Sequence, residues 1–470
     1  MSVNRRDFVR LLGGGLAAVT GLPLIGSAET KKPTVIGSPS GKARNVIFMV
    51  SDGMTHGTLA LAEQYSRYVL GKPTNWMNLY RKRPVVRALQ ETRSHSSIVT
   101  DSAAASSSWG CGQRVINGKI NLSPEGVALT PIGVKAKRSG KEVGLVSTAR
   151  ITHATPAGFA ANVEFRDQED TIAEQYLTRE IDVLLGGGSR HFDPAVRADK
   201  KDLFANYLNG GYTVVRNKVD LLKAASAKRL LGTFCPDHVP YTIDHQRNPE
   251  LMRDVPTLHE MMSAALSRLE HSPNGFLLQV EGGRIDHAAH ANDAGALLQE
   301  QLMFDSCIPL ALEFQERHPD TLIIITTDHG TGGCHINGEG KEYADSMPMV
   351  ANLQKYTVSF ECLGQHLKKG MSAAQLQEKL ALLYGLNLPA SRAQEILLEL
   401  AAIDAEGGYK YAGNIMAPLL AKHCAIDWTT HNHTGDLVEF AALGPGSERI
   451  TPFIENWQVH GVVCQAMGIE

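Results

Sequence analysis

The sequence predicts an α/β fold in which helices flank a mostly parallel central sheet, and two observations support this prediction. Short apolar runs alternate along the chain with stretches of helical period. The apolar runs lack polar alternation, which is typical of strands that are buried on both faces. Five runs are strand candidates: Asn45–Val50, Glu142–Ser147, Ile181–Leu185, Gly275–Val280 and Leu322–Thr326.

Charged side chains follow three of these runs at the point where each strand would end. Asp52 follows the first run, Glu281 follows the fourth, and Asp328 with His329 follows the fifth. In open parallel sheets, ligands bind beyond the carboxyl ends of the strands. We therefore expect these four side chains to meet at one site.

The N-terminal segment is typical of an exported protein. Arg5 and Arg6 precede an apolar stretch over 11–25 and a small-residue sequence ending at Ala28, which is the order of a twin-arginine signal peptide. The apolar stretch is too short for a comfortable membrane span. We predict a signal peptide over 1–28, a flexible lead-in over 29–42 and a folded domain over 43–470. The mature protein would be periplasmic or secreted, without a stable membrane span.

The composition is that of an ordinary globular chain. The 470 residues carry a formal net charge of −3. No cluster of Lys and Arg with interleaved aromatic residues stands out in the sequence, which disfavours a dedicated nucleic-acid partner. The seven cysteines form no Cys-x-x-Cys pair, and we interpret most of them as small buried hydrophobic residues.

The stretch from about 335 to 428 has a different character and predicts a helical insertion. Ser372 and Ser391 are each followed three residues later by a glutamine and then by a Leu-rich periodic run. This is the pattern of a capping box. We expect one helix to begin just after each serine.

Histidines and carboxylates occur with the spacing of metal ligands. Asp286 and His290 are four residues apart, which places them on one face of a helix where both can reach one cation. His431 and His433 have no obvious structural reason to lie so close together, and one of them is a candidate ligand. A ligand set without thiolates suits zinc, and an oxygen-only position suits magnesium.

Two further residues are candidates for phosphate chemistry. Ser102 lies near the predicted start of a Ser/Ala-rich helix, where backbone N–H groups and the helix dipole favour an anion. Arg166 carries the side chain that best matches two phosphate oxygens. Taken alone, Ser102 could be a helix cap and Arg166 a surface residue.

In their order along the chain, these motifs closely resemble those of the alkaline phosphatase family, from Asn45 to about Pro445. The motifs are Asp52-Gly53-Met54, Asp101-Ser102-Ala103, His153-x-Thr155-Pro156-Ala157, the segment from Glu281 through Asp286 to His290, Asp328-His329 and His433-Thr434-Gly435.

The resemblance implies a doubly wound sheet and a homodimeric enzyme that hydrolyses small phosphate monoesters through a phosphoserine intermediate. Ser102 would be the nucleophile and Arg166 the phosphate clamp. One zinc ion would be held by Asp286, His290 and His433, and a second by Asp52, Asp328 and His329. A third ion, usually magnesium, would be held by Asp52, Thr155 and Glu281. His153 and His287 occupy positions where some relatives carry other residues, so both are candidate neighbours of the metals.

Three other functions remain open at this point. The chain could be a phosphodiesterase or a sulfatase of the same superfamily, or a protein that binds metal or phosphate without turnover. The sequence near Ser102 lacks the Cys/Ser-x-Pro-x-Arg signature of sulfatases. Phosphodiesterases typically lack the third-metal residues, and the presence of nucleophile, clamp and ligands together disfavours a non-catalytic role.

Overall fold

A computed structural model describes residues 42–224, 226–367, 370–402 and 408–470. The predicted signal peptide, 1–28, and the lead-in up to residue 41 lie outside the described residues.

One ten-stranded sheet organises the chain. In spatial order its strands are β14 (Phe453–Glu455), β2 (Val86–Glu91), β13 (Val438–Leu443), β8 (Thr321–Thr326), β1 (Asn45–Val50), β7 (Phe276–Glu281), β3 (Glu142–Arg150), β4 (Val183–Gly187), β6 (Arg229–Thr233) and β5 (Tyr212–Val215). β13 runs antiparallel to both of its neighbours, and the other paired strands of this sheet are parallel. The five predicted strands are present, with ends that agree within three residues.

Two short ladders lie outside this sheet. β9 (Gly330–Thr331) pairs with β12 (His433–Thr434), and β10 (His335–Ile336) pairs with β11 (Ile426–Asp427). Both ladders are antiparallel. The first joins the segment that carries His433 to the end of β8, so it places a late part of the sequence beside the central strands.

Helices cover the sheet on both faces. They are α1 (His56–Tyr68), α2 (Asn75–Lys82), α3 (Ser102–Cys111), α4 (Ile132–Arg138), α5 (Ala154–Ala160), α6 (Glu169–Thr178), α7 (Leu203–Asn209), α8 (Lys218–Lys223), α9 (Thr242–His245), α10 (Pro249–Asp254), α11 (Leu258–Leu269), α12 (Arg284–His290), α13 (Ala294–Arg317), α14 (Ser346–Ala351), α15 (Phe360–His366), α16 (Ala373–Tyr384), α17 (Ala390–Ala402), α18 (Gly408–Cys424) and α19 (Gln458–Met467).

The hydrophobic core consists of two layers separated by the sheet. Along β1, Ile47 and Met49 pack into one layer, and Val46 and Phe48 pack into the other. Strands that bury both faces have no polar side of their own, which explains the continuous apolar runs in the sequence. The predicted α/β fold with a doubly wound sheet is confirmed.

Five helices, α14 to α18, lie between β10 and β11 in the stretch 335–428, which we call the insertion. α16 begins after Ser372, and the side chains of Ser372 and Gln375 make both bonds of a capping box, as predicted. The prediction for Ser391 is wrong because α17 already begins at Ala390. Pro389 precedes that helix, and its carbonyl accepts the first helical bond, from the Ala393 N–H. The proline therefore sets the start of the helix.

Among the described residues, no helix has the length and apolar character needed to cross a membrane. All seven cysteines lie in the described part of the chain and are free, and four of them are buried.

Candidate active site

The site lies where four adjacent strands end. β8, β1, β7 and β3 are neighbours in the centre of the sheet, and they run parallel. Asp52 follows β1, Glu281 ends β7, and Asp328 follows β8, so their carboxylates meet at one edge. The turn after β1 requires Gly53, which has φ of +70°, and a Cβ there would lie 2.7 Å from an Asp286 carboxylate oxygen.

Ser102 is the first residue of α3 and is almost fully buried. Asp101 caps the helix, and its carboxylate accepts a bond from the Ala104 N–H at 2.9 Å. The Ser102 Oγ lies 3.2 Å from Nε2 of His329. Helix N-termini stabilise anions, so the hydroxyl sits where negative charge is favoured.

The Ser/Ala/Gly composition of α3 follows from its close packing on α5, the helix that carries Thr155. A Cβ on Gly110 would lie 1.9 Å from the Gly158 carbonyl oxygen, and one on Gly158 would lie 2.2 Å from the Ser106 Oγ. Larger side chains would force the two helices apart. This contact fixes the position of Ser102 relative to Thr155.

Asp286, His290 and His433 form the first of three groups with the spacing of a metal site. His290 Nδ1 lies 2.5 Å from the His431 carbonyl oxygen, and His433 Nδ1 lies 2.8 Å from the Thr100 carbonyl oxygen. A carbonyl only accepts, so both Nδ1 atoms carry hydrogen and both Nε2 atoms keep a lone pair. The two Nε2 atoms face each other at 3.0 Å, an arrangement that a shared cation would stabilise.

Asp52, Asp328 and His329 form the second group, and all three are fully buried. The Thr331 hydroxyl donates to Asp286 Oδ1 at 2.6 Å and lies 3.2 Å from His329 Nδ1. Since its one hydrogen is used on the carboxylate, the hydroxyl accepts from His329 Nδ1–H, which leaves the lone pair on Nε2. That Nε2 lies 3.1 Å from Asp328 Oδ2.

Asp52 belongs also to the third group, with His153 and Glu281. Thr155, the second residue of α5, is fully buried beside this group. Among the described residues, neither oxygen of Asp52, Oε1 of Glu281 nor the Thr155 Oγ1 has a hydrogen-bond partner. Buried polar atoms without partners are rare in folded proteins. The oxygen atoms of this group therefore fit a hard cation such as magnesium.

The pKa values of the buried acids of the site shift in different directions. Burial and the neighbouring Asp328 raise the pKa of Asp52 well above its usual value. Burial also raises the pKa of Glu281 to about 7. Burial acts in the same direction on Asp286, but His290 and His433 lower the pKa of that carboxyl below its usual value. So many buried carboxylates are stable together only when positive charge compensates them, which again fits bound cations.

Arg166 reaches the site from the loop after α5. Its Nη1 donates to Asp101 Oδ2 at 3.2 Å, and its Nη2 lies 3.1 Å from His153 Nε2. The side chain is partly exposed, in contrast to the buried acids. Arg166 therefore contacts the residue that precedes Ser102 and is partly open to solvent.

His287 lies beside the third group, together with a histidine that sequence reasoning missed. The rings of His287 and His238 are 4.3 Å apart, and each ring is 5.6 Å from that of His153. Burial and Arg284 lower the pKa of His287 to about 3, so this imidazole is neutral at ordinary pH.

Thr331 and His238 were not predicted as site residues, whereas His431 was named together with His433 as a candidate ligand. Thr331 connects the first two groups, and His238 packs against the third. His431 stabilises His290 through a reciprocal contact, since its Nδ1 lies 3.0 Å from the His290 carbonyl oxygen. Of the pair His431 and His433, His433 and not His431 belongs to one of the three groups with the spacing of a metal site among the described residues. Other site residues lie at or just after the end of a strand, and His238 likewise follows β6. This position was the available signal for His238.

Comparison with known proteins identifies the family of the chain. The family model described as "Alkaline phosphatase" matches residues 43–469. The chain belongs to the alkaline phosphatase family. Alkaline phosphatase 4 of Bacillus subtilis is 30% identical over an alignment that covers 93% of this chain and 92% of that protein. The repressible alkaline phosphatase of Saccharomyces cerevisiae is 35% identical, but the alignment covers only 63% of this chain and 56% of the yeast protein.

The crystal structure of Thermus thermophilus alkaline phosphatase has the same fold. The two chains are 35% identical, the TM-score is 0.85, and the match covers 95% of this chain and 96% of the other. Alkaline phosphatases are metal-dependent phosphomonoesterases, and the chain is an enzyme of this class. The three groups described above are its candidate metal-binding residues.

Proposed function

We propose that this alkaline phosphatase hydrolyses small phosphate monoesters by attack of Ser102 Oγ on phosphorus, through a phosphoserine intermediate. The observation that carries the proposal is the position of Ser102. Ser102 is the first residue of α3, and its hydroxyl lies beside His329 Nε2. His329 belongs to the second group, and Thr331 connects it to Asp286 of the first group. A serine hydroxyl is a weak nucleophile unless its environment stabilises the alkoxide.

We propose zinc for the first two groups and magnesium for the third. Two zinc ions would be held by Asp286, His290 and His433 and by Asp52, Asp328 and His329, because imidazole and carboxylate ligands suit zinc. The magnesium ion would be held by Asp52, Thr155 and Glu281. When bound, such cations stabilise the serine alkoxide, the departing alkoxide and the charge on the phosphoryl oxygens.

The protein residues then perform two displacements at phosphorus. In the first, the Ser102 hydroxyl gives its proton to solvent, Oγ bonds to phosphorus, and the bond from phosphorus to the ester oxygen breaks. The departing alkoxide takes a proton from solvent and leaves as the alcohol. In the second, a water molecule gives a proton to solvent, its oxygen bonds to phosphorus and the bond to Ser102 Oγ breaks; Oγ takes a proton from solvent, which releases inorganic phosphate and restores the serine.

Arg166 orients the phosphoryl group in both displacements. A guanidinium has five N–H donors, and the contacts with Asp101 and His153 use two of them. The remaining donors can bind two phosphoryl oxygens as a fork. Asp101 limits the movement of the guanidinium, so it also keeps Arg166 beside Ser102.

A comparison of three substrates tests the proposal. An aryl phosphate, the matching bis-aryl phosphate diester and the matching aryl sulfate are assayed with the zinc- and magnesium-loaded protein. We expect rapid hydrolysis of the monoester alone. A higher kcat/KM for the diester or the sulfate would contradict the proposal, and binding of phosphate without any turnover would indicate a non-catalytic protein. Elemental analysis of the same sample checks the proposed two zinc ions and one magnesium ion.

We also propose that the protein is a homodimer. At the edge of the sheet, β2 and β14 expose the apolar side chains of Leu89 and Phe453, and Trp457 is exposed just after β14. Exposed apolar patches commonly mark protein interfaces. Light scattering of the purified protein gives its mass, and the mass of a single chain would contradict this proposal.

Export by the twin-arginine pathway is the remaining proposal from the sequence. Replacement of both Arg5 and Arg6 by lysine should leave the enzyme in the cytoplasm, since the receptor reads the arginine pair. Unchanged export of the doubly substituted protein would contradict the proposal.

A further inference from the structure

A chain of contacts connects the insertion to His287 at the site. Glu361 on α15 forms an ion pair with Nη2 of Arg284, the first residue of α12. Arg284 Nη1 lies 3.0 Å from Nδ1 of His287. The Arg284 side chain is only 5% exposed, and its guanidinium carbon lies 3.7 Å from the centre of the Tyr241 ring. The insertion therefore contacts the catalytic domain next to a predicted site residue.

Two carboxylates, of which that of Asp293 is fully buried, fix the start of α15 and with it the position of Glu361. The Ser359 N–H donates to Asp244 Oδ1 at 2.9 Å, and the Phe360 N–H donates to Asp293 Oδ2 at 2.6 Å. Asp293 also caps the long helix α13. Since Asp293 and Ser359 are fully buried, this contact is shielded from water and holds the insertion rigidly on the domain.

The contact with Arg284 determines which nitrogen of His287 carries hydrogen. A guanidinium can only donate, so His287 Nδ1 accepts and the hydrogen of the neutral ring lies on Nε2. The His287 ring is 5.6 Å from that of His153, whose Nε2 contacts Arg166. His287 is partly exposed, and through His153 it lies on the side of the site that carries Arg166.

We infer that Glu361 is a positioning residue of the active site: through Arg284 it holds His287 in the tautomer that presents an N–H donor beside the phosphate-binding side of the site. The inference rests on the proposed function, since it assigns the donor to the phosphate group of the substrate. It gives the insertion a specific role, because the acidic residue that orients Arg284 comes from the insertion.

The test compares Glu361→Ala with Glu378→Ala, whose side chain is exposed on α16 of the same insertion. Loss of an outer residue that orients a site residue commonly costs about 10- to 100-fold. For Glu361→Ala we expect inorganic phosphate inhibition to weaken about tenfold and KM to rise by a similar factor. We expect kcat to change little, because the donor serves the ground state and the transition state alike. Glu378→Ala should behave as wild type.

Nitrogen NMR of histidine-labelled protein reads the tautomer directly, without turnover. The His287 signals are assigned by their loss in His287→Asn. Wild type should show hydrogen on Nε2, Glu361→Ala should show a mixture of tautomers, and Glu361→Gln should restore part of the wild-type signal because its amide still bonds Arg284. If Glu361→Ala does not fold, the tautomer of His287 and the phosphate inhibition are measured in Glu361→Gln instead.

Two outcomes separate this inference from the proposed function. An unchanged His287 tautomer, or unchanged phosphate inhibition in both Glu361 variants, would overturn the positioning role even if the wild type is an active phosphatase. A wild type without phosphatase activity would overturn the proposed function, and the NMR comparison would still decide whether Glu361 controls His287.

Discussion

Thr331→Val tests whether one hydroxyl joins the first two metal groups. Thr331 is fully buried, and its hydroxyl donates to Asp286 Oδ1 and accepts from His329 Nδ1. Valine has nearly the same shape but neither bond. The substitution leaves Asp286 Oδ1 without this donor, and it frees the His329 ring to rotate or to change tautomer.

The expected effect follows from the two bonds. The bond to the carboxylate is short, at 2.6 Å, and a bond to a charged group contributes about 1.5–3 kcal/mol. The longer bond to His329, at 3.2 Å, contributes about 1 kcal/mol. Part of this is recovered when the ligands relax around the metals. We expect about 2 kcal/mol of metal-binding free energy to be lost, which is roughly thirtyfold in affinity.

Competition with a chelator measures the zinc affinity of both groups in the variant. Thr326→Val is the matched control because Thr326 is equally buried, but its hydroxyl donates at 2.9 Å to the backbone carbonyl of Glu439. The control should lose thermal stability and keep its zinc affinity. Wild-type zinc affinity at both groups in Thr331→Val would refute the bridging role, and so would weakening of only one group.

Three other predictions concern the clamp, the third group and the helix contact. Arg166→Ala should weaken phosphate inhibition and slow turnover without abolishing it, because the metal groups keep most of the charge stabilisation; unchanged phosphate inhibition would show that Arg166 is not the clamp. His153→Asp should raise magnesium affinity, because it adds a hard oxygen ligand beside Asp52 and Glu281; a magnesium titration of zinc-loaded protein with an unchanged or weaker midpoint would contradict this. Gly158→Ala should lower the free energy of unfolding by about 1–3 kcal/mol and reduce kcat, because the new methyl group meets Ser106 and displaces α3; denaturant unfolding and an activity assay check both effects, and wild-type values would contradict the packing argument.

The sequence predicted the central strands and the residues that follow them because both leave local signals. A strand buried on two faces must be apolar throughout, and polar residues at its end stand out from the run. The edge strand β14 and its neighbour β2 left no such signal. The burial pattern of β2 is mixed, and β14 has only three residues.

The residues that sequence reasoning missed act through contacts between distant parts of the chain. Thr331 lies in a glycine-rich loop, and only the fold brings its hydroxyl between Asp286 and His329. His238 follows a strand that was not among the candidates. Glu361 and Arg284 are 77 residues apart in sequence, and no motif around either residue predicts that they form an ion pair. Ser391 is an error of the opposite kind, in which a sequence signal was present but misleading. The capping pattern predicted a helix that begins after Ser391, but α17 begins at Ala390, directly after Pro389.

Trapping the intermediate tests the central claim most directly. The metal-loaded protein is mixed with excess aryl phosphate, quenched in acid within the first turnovers and digested for peptide mass spectrometry. The proposed mechanism predicts one added phosphoryl group on the peptide that contains Ser102, and none in Ser102→Ala, which should retain its zinc but lose nearly all turnover. Full turnover in Ser102→Ala, or a phosphoryl group on another residue, would contradict the mechanism.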